Sequence, residues 1–251
     1  MAGHSHAKNV KHRKDAVDSK RGKLFSKLSK KIIAAAKQGG GDINANITLR
    51  TMVEKARDAS MPKENIERAI KRATGELGGG TEEITYEGYG PGGAAILVQA
   101  CTDNRSRTAS NVRLLFDRAG GKFAASGSVS WIFKPRCLVT IDASTVPEED
   151  LLAAVLEAGA DDMTTQNGVH TVSGPSTAFA SVLRTLESKG WKSLEAELTW
   201  IPDTRVSITT TETAKALLDF ITALEEDEDI TAVHSNHEFP EGMDWSEDAD
   251  D

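Results

Sequence analysis

The chain has 251 residues, 39% hydrophobic and 27% charged, with a formal net charge of −8. This leaves room for two or three domains of ordinary soluble composition, and no apolar run approaches the length needed to span a bilayer. The opening residues lack a secretory h-region, and Cys101 and Cys137 stand alone without CxxC spacing, which points to a reducing, cytoplasmic setting and away from a disulfide scaffold.

The charge is sorted by position. Residues 1–79 carry 18 Lys/Arg against 8 Asp/Glu, whereas residues 80–251 carry 12 against 30. A basic module on an acidic body is suited to holding a polyanion at one end and repelling it elsewhere.

In chain order, residues 1–18 read as a polar basic arm, with Lys8, Lys11, Arg13 and Lys14 around His4, His6 and His12. No Cys or carboxylate ligands accompany those histidines at finger-like spacing, so no metal is expected. A first helix is predicted from Ser19 to Gln38, with Leu24, Leu28, Ile32 and Ala35 on one face and Lys20, Lys23, Lys27, Lys30, Lys31 and Lys37 on the opposite arc. Gly39-Gly40-Gly41 supplies its stop. A second helix spans Asn46 to Ala59, and Pro62 opens a third with Ile66, Ala69, Ile70 and Ala73 inward. Gly75 and Gly78-Gly79-Gly80 mark the way out of this small bundle.

Strands then alternate with helices. Ile84 to Tyr89 and Ala94 to Cys101 read as strands, Arg105 to Ala119 as a helix, and Ser128 to Phe133 and Cys137 to Ile141 as strands. Pro147 opens a helix through Ala158. Short strands near Met163 and Val169 to Val172 precede a helix from Ser176 to Lys189. Leu194 to Ile201 and Arg205 to Thr209 are predicted strands, Thr213 to Leu224 a helix, and Asp229 to His234 a closing strand. The expected fold class is α+β: a three-helix domain plus two α/β domains of ferredoxin-like size, one inserted in the other. The expected boundaries are 1–79, 80–134 with 205–238, 135–204 inserted, and an acidic tail at 239–251. In this scheme the strand at Arg205 to Thr209 and its helix return to finish the sheet begun at Ile84.

Two motifs invite chemistry. Tyr86-Glu87-Gly88-Tyr89-Gly90-Pro91-Gly92-Gly93 resembles a phosphate loop in composition. A phosphate loop needs a helix after it, and here a strand follows, so a hairpin is expected. Thr102-Asp103-Asn104-Arg105-Ser106-Arg107-Thr108 reads as a strand end and helix cap. The cap leaves two arginines at a helix N-terminus unexplained, and Arg105 and Arg107 could grip a phosphate there. No GxSxG, HExxH or paired Cys–His is present, so neither enzymatic activity nor a cofactor is expected.

The motifs taken together resemble the YebC/PmpR family. The likeness runs through Met1-Ala2-Gly3-His4-Ser5, Lys11-His12-Arg13-Lys14, Arg21-Gly22-Lys23-Leu24-Phe25-Ser26-Lys27-Leu28 and Met61-Pro62-Lys63-Glu64-Asn65-Ile66. It continues through the glycine hairpin, the Thr102–Thr108 motif and Ser126-Gly127-Ser128-Val129-Ser130-Trp131. The resemblance implies the fold described above and a DNA-binding regulator of transcription. Related proteins act in translation, including a mitochondrial activator of a cytochrome oxidase subunit and bacterial members linked to stalled ribosomes. The chain departs from the family pattern at His6-Ala7, Lys31 and Asp42-Ile43.

The expected function is a cytoplasmic, non-enzymatic regulator of gene expression. Phosphate contacts are assigned to Lys8, Lys11, His12, Arg13, Lys14, Arg21, Lys23, Lys27 and Lys30, with Arg105 and Arg107 as a second contact. The partner is nucleic acid, DNA or ribosomal RNA, with the ribosome a further candidate; no membrane is involved, and the chain is expected as a monomer or weak dimer. No recognition helix dense in Asn, Gln and Arg is evident, nor an aromatic platform for unpaired bases. A lysine-dominated surface therefore suits structured RNA gripped by shape and phosphate. The alternatives are a small-molecule-binding or catalytic α/β protein with an incidental basic front, which would show a deep polar pocket within 80–235, and a protein-only adaptor.

Overall fold

The computed structural model describes residues 3–77 and 80–240, with side chains in the leading helix described from Arg21 onward. The acidic tail beyond residue 240, and Gly78 and Gly79 of the expected linker, lie outside the described residues.

Three helices come first: α1 (Gly3–Gly39), α2 (Ile47–Asp58) and α3 (Lys63–Ala73). The helix predicted from Ser19 thus begins at Gly3 and takes in the expected arm. Lys, Arg and Ala are good helix formers, and no proline interrupts residues 3–39. Its inner stripe holds Leu28, Ile32, Ile33, Ala35 and Ala36, which pack on Leu49, Val53 and Ala56 of α2 and Ile66 and Ala69 of α3. Leu24, expected inward, is 46% exposed. Asn46 joins two helix ends. Its Oδ1 accepts from the Leu49 N–H at 3.0 Å, capping α2, while Nδ2 donates to the carbonyls of Ala35 at 2.9 Å and Gly40 at 2.8 Å. A Cβ on Gly39 would lie 2.6 Å from that amide, and Gly40 has φ +86°, so the glycine run is required by both space and backbone.

The remaining elements are β1 (Glu82–Tyr89), β2 (Ala95–Thr102), α4 (Arg105–Arg118), β3 (Lys122–Ala124), β4 (Phe133–Asp142), α5 (Glu148–Glu157), β5 (Asp162–Gln166), β6 (Val169–Pro175), α6 (Phe179–Ser188), β7 (Ser193–Pro202), β8 (Val206–Ser207), α7 (Thr211–Glu226), β9 (Ile230–Ser235) and β10 (His237–Glu238). They make two four-stranded antiparallel sheets, ordered β3-β1-β2-β9 and β5-β6-β4-β7, and a β8–β10 pair. The fold is α+β. In the first sheet Ile96, Val98 and Ala100 face Val112 and Phe116 of α4 and Leu217, Phe220 and Leu224 of α7. In the second, Val139, Ile141 and Val172 face Leu151 and Val155 of α5 and Val182 and Leu186 of α6.

Two expectations are corrected. The strand at 205–209 shrinks to Val206–Ser207 and pairs with His237–Glu238. The edge of β2 is instead taken by β9, whose Ile230 and Val233 extend the apolar face under α4 and α7. The strand expected at 128–133 is a 3-10 turn over Ser130–Ile132, and β4 begins only at Phe133. The N–H groups of Gly127, Val129 and Ser130 donate to the Glu87 carboxylate and not to a strand ladder.

The helical module is joined to the rest by shared cores and ions. Cys101 at the end of β2 lies in the helical core, Ile47 of α2 lies in the core of the second sheet, and Arg50 of α2 makes two contacts to Glu187 of α6 at 3.3 and 3.2 Å.

Candidate nucleic-acid interface

The basic residues sort into those that stay free and those the protein neutralises itself. Lys8, Lys11, His12, Arg13 and Lys14 lie on the backbone of α1, and their side chains fall outside the described residues. Lys23 and Lys27 make no ion pair among the described residues, and Lys27 borders a small pocket of about 220 Å³ with Leu24, Lys31 and Glu225. Arg21 is exposed, its guanidinium 5.2 Å from the Phe25 ring centre, with a long contact of 3.4 Å to the Ser60 carbonyl.

Lys30 and Arg107, expected to face phosphate, both turn inward to Asp229. Lys30 Nζ lies 2.7 Å from Asp229 Oδ1 and donates to the Glu228 carbonyl at 2.5 Å. Arg107 Nη2 reaches Asp229 Oδ2 at 2.8 Å and Asp103 at 3.0 Å. Thr102 Oγ1 and Thr108 Oγ1 donate to Asp229 Oδ2 at 3.2 and 2.7 Å. Burial alone would raise the Asp229 pKa, but Lys30, Arg107 and Thr108 outweigh it and hold the carboxyl well below the usual range. Hydrogen bonds to Asp229 and then Asp103 push the Arg107 pKa up. The Thr102–Thr108 motif is therefore a latch. Asn104 Oδ1 caps α4 at the Arg107 N–H, 3.1 Å away, and the arginine so placed clasps an acid presented just ahead of β9. Arg105 stays 70% exposed, 4.0 Å from Glu82. Sequence reasoning saw the cap and the arginines but had no signal for an acid more than a hundred residues downstream.

The latch lines a cleft of about 680 Å³ that also takes in Ser26, Ser29, Arg72 and Asn111. A second cleft of about 690 Å³ lies where α1 and α2 meet both sheets, with Lys31, Lys37 and Lys55 opposite Glu83 and Glu197. Most of its lining comes from residues 80–235 and the rest from the helical module, so it is shared with the helices and not enclosed within the α/β body as the small-molecule reading expects. His234, on β9, lies 3.4 Å from Gln99, and burial, then Lys31, pushes its pKa down to about 4. A histidine held neutral in the fold but protonated when unfolded loses stability as pH falls from about 6.5 toward 4. Denaturation of wild type and His234→Gln at pH 7 and pH 4.5 is expected to show a smaller acid loss in the variant, and an equal loss would reject the assignment.

The glycine motif forms the expected hairpin. Gly92 and Gly93 have φ +71° and +76° between β1 and β2, and a Cβ on Gly88 would lie 2.4 Å from Phe116 and 2.5 Å from the Lys122 carbonyl. Among the described residues no group of His, Cys, Asp and Glu is arranged to hold a metal, and no helix is long and apolar enough to cross a membrane.

A three-helix module latched to two antiparallel α/β sheets, with Arg21, Lys23 and Lys27 of its leading helix left without an acid among the described residues, defines a three-part α+β protein. Residues 5–76 match the family described as TACO1/YebC protein N-terminal domain, and residues 81–237 the one described as TACO1/YebC second and third domain. The chain belongs to the TACO1/YebC family. It is 51% identical to a "Probable transcriptional regulatory protein" of Treponema denticola over 98% of this chain and 100% of that one. A protein of Fusobacterium nucleatum with the same description is 45% identical over 96% of this chain and 97% of its own length. The crystal structure of a conserved hypothetical protein from Aquifex aeolicus superposes with a TM-score of 0.78 at 45% identity, covering 90% of this chain and 93% of that one.

Proposed function

We propose that the protein is a non-enzymatic regulator of gene expression that binds nucleic acid through α1. The observation that carries this is the sorting of its cations. Lys30 and Arg107 are consumed by Asp229, while Arg21, Lys23 and Lys27 are left without acid partners among the described residues. With Lys8, Lys11, His12, Arg13 and Lys14 on the same helix, they supply cations that can neutralise phosphates and release counterions. Arg105 is the remaining exposed cation of the second contact. The descriptions of the relatives support a regulatory role. On this reading residues 1–79 bind, residues 80–134 with 205–238 carry the latch, and residues 135–204 with the acidic tail keep the polyanion to one side. A lysine-dominated set of cations, in a sequence with no helix dense in Asn, Gln and Arg, favours structured RNA, including ribosomal RNA, over sequence-specific DNA.

The test is binding to ribosomes and to promoter DNA across a salt series, for wild type and an R13E/K23E/K27E variant. Removing about three phosphate contacts is expected to flatten the log–log salt slope by roughly 3 units on duplex. An unchanged slope on both substrates would reject the surface. Stronger retention on ribosomes than on DNA supports the translational role, and the reverse supports transcription.

A further inference from the structure

Trp131 is 70% exposed, more than any other large hydrophobic residue among those described, yet it is not loosely held. Its Nε1–H donates to the Ser128 carbonyl at 3.0 Å. Tyr89, 37% exposed, donates its hydroxyl to the same carbonyl at 3.4 Å. The loop carrying that carbonyl is tied down by the Glu87 carboxylate, which is 3% exposed and accepts from the N–H groups of Gly127, Val129 and Ser130 at 2.7, 2.7 and 2.8 Å. Two aromatic rings are thus fixed about one oxygen, and the single donor of the indole is spent internally. What remains for a partner is the π face, which suits stacking better than the hydrogen-bonding edge a tryptophan usually offers a protein.

The stretch of chain that carries Trp131 is basic within an acidic body. Residues 104–141 hold seven Lys/Arg and one acid, Asp117, inside a segment that is acidic as a whole. Four of the seven pair with acids, at Glu82, Asp229, Asp203 and Asp161. Lys122 is exposed, makes no ion pair among the described residues, and sits directly opposite Tyr89 in the β1–β3 register, on the same face of the sheet. A planar π surface with a free ammonium beside it is the chemistry that binds an unpaired nucleotide: base on ring, phosphate on cation. We propose that Trp131 and Tyr89 form a stacking platform for an unpaired nucleobase, with Lys122 taking the adjoining phosphate. The platform lies on the α/β body, apart from α1, and rests on the preceding reading only for the class of ligand.

The test compares an RNA hairpin with an unpaired loop, the same stem as a closed duplex, and single-stranded DNA of the loop sequence. Binding and tryptophan emission are followed for wild type, W131A, W131F and K23E/K27E. Wild type is expected to prefer the hairpin over the duplex by roughly tenfold, with emission quenched relative to W131F. W131A should lose that preference, and W131F, which keeps an aromatic face and guards against a folding defect, should keep most of it. K23E/K27E should weaken both RNAs alike and leave their ratio intact. Single-stranded DNA that competes supports stacking alone, and DNA that fails to compete while RNA still quenches Trp131 supports stacking with a ribose contact. A ratio unchanged in W131A overturns the platform, even where K23E/K27E still lowers affinity and so upholds the α1 surface. No quenching of Trp131 by any oligonucleotide overturns it in favour of a protein contact at this loop.

Discussion

Asp229→Ala is expected to lower stability by about 3–5 kcal/mol, the cost of removing one partner from a largely buried ion pair, and the melting temperature by roughly 10 °C. The substitution leaves the largely buried Lys30 without its acid, while the half-exposed Arg107 keeps Asp103. Lys30 on α1 and Arg107 on α4 share one carboxylate whose side chain is 10% exposed, and two threonine hydroxyls lose the same acceptor. The damage should extend beyond the α/β body, because Lys30 is the ionic tie from α1 to the loop before β9. Asp229→Asn keeps the shape and an acceptor for Thr108 and should fall between the two. The pH dependence has a fixed sign. A carboxyl held below its unfolded pKa stabilises the fold fully above pH 4, and that contribution disappears as acid protonates it. Wild type and Asp229→Asn should therefore converge in strong acid. A melt of Asp229→Ala within about 2 °C of wild type would show that the latch does not hold the domains together.

Glu87→Ala is expected to cost about 3 kcal/mol, because three backbone N–H groups lose a charged acceptor and the Val129 donor is buried. Glu87→Gln, which retains one acceptor oxygen, should cost about half as much. Burial alone would raise the Glu87 pKa, yet the N–H groups of Gly127, Val129 and Ser130 bring it down, so its contribution too is present above the unfolded carboxyl pKa and lost in acid. The distinguishing readout is the emission anisotropy of Trp131, measured against a W131F background. Freed from its clamp, the loop should let the indole move, and anisotropy should drop in Glu87→Ala at temperatures where the remaining fold is intact. A stability loss with no change at Trp131 would mean that Glu87 supports the sheet alone.

Much of the helical module was legible because its signals are local. The 3.6-residue spacing of Leu28, Ile32 and Ala35, the proline opening α3 and the glycines closing α1 each act within a few residues. The hairpin at Gly92-Gly93 was legible for the same reason, since a strand follows where a phosphate loop needs a helix. Leu24 misled, because periodicity assigns a face without saying how far the partner helices reach along it.

The candidate site was legible only in part. The sequence by itself determined where positive charge concentrates and which segments take helix or strand, since charge and periodicity are properties of near neighbours. Which cations remain available was decided by tertiary structure, through Asp229 meeting Lys30 across 199 positions and Arg107 across 122. The aromatic pair belongs to the same class. Tyr89 and Trp131 are brought together at Ser128 by a carboxylate at Glu87 reaching a loop 40 residues away. Ion pairs and clamps of this length are made by the packing of sheets and helices against one another, and no local pattern along the chain encodes them.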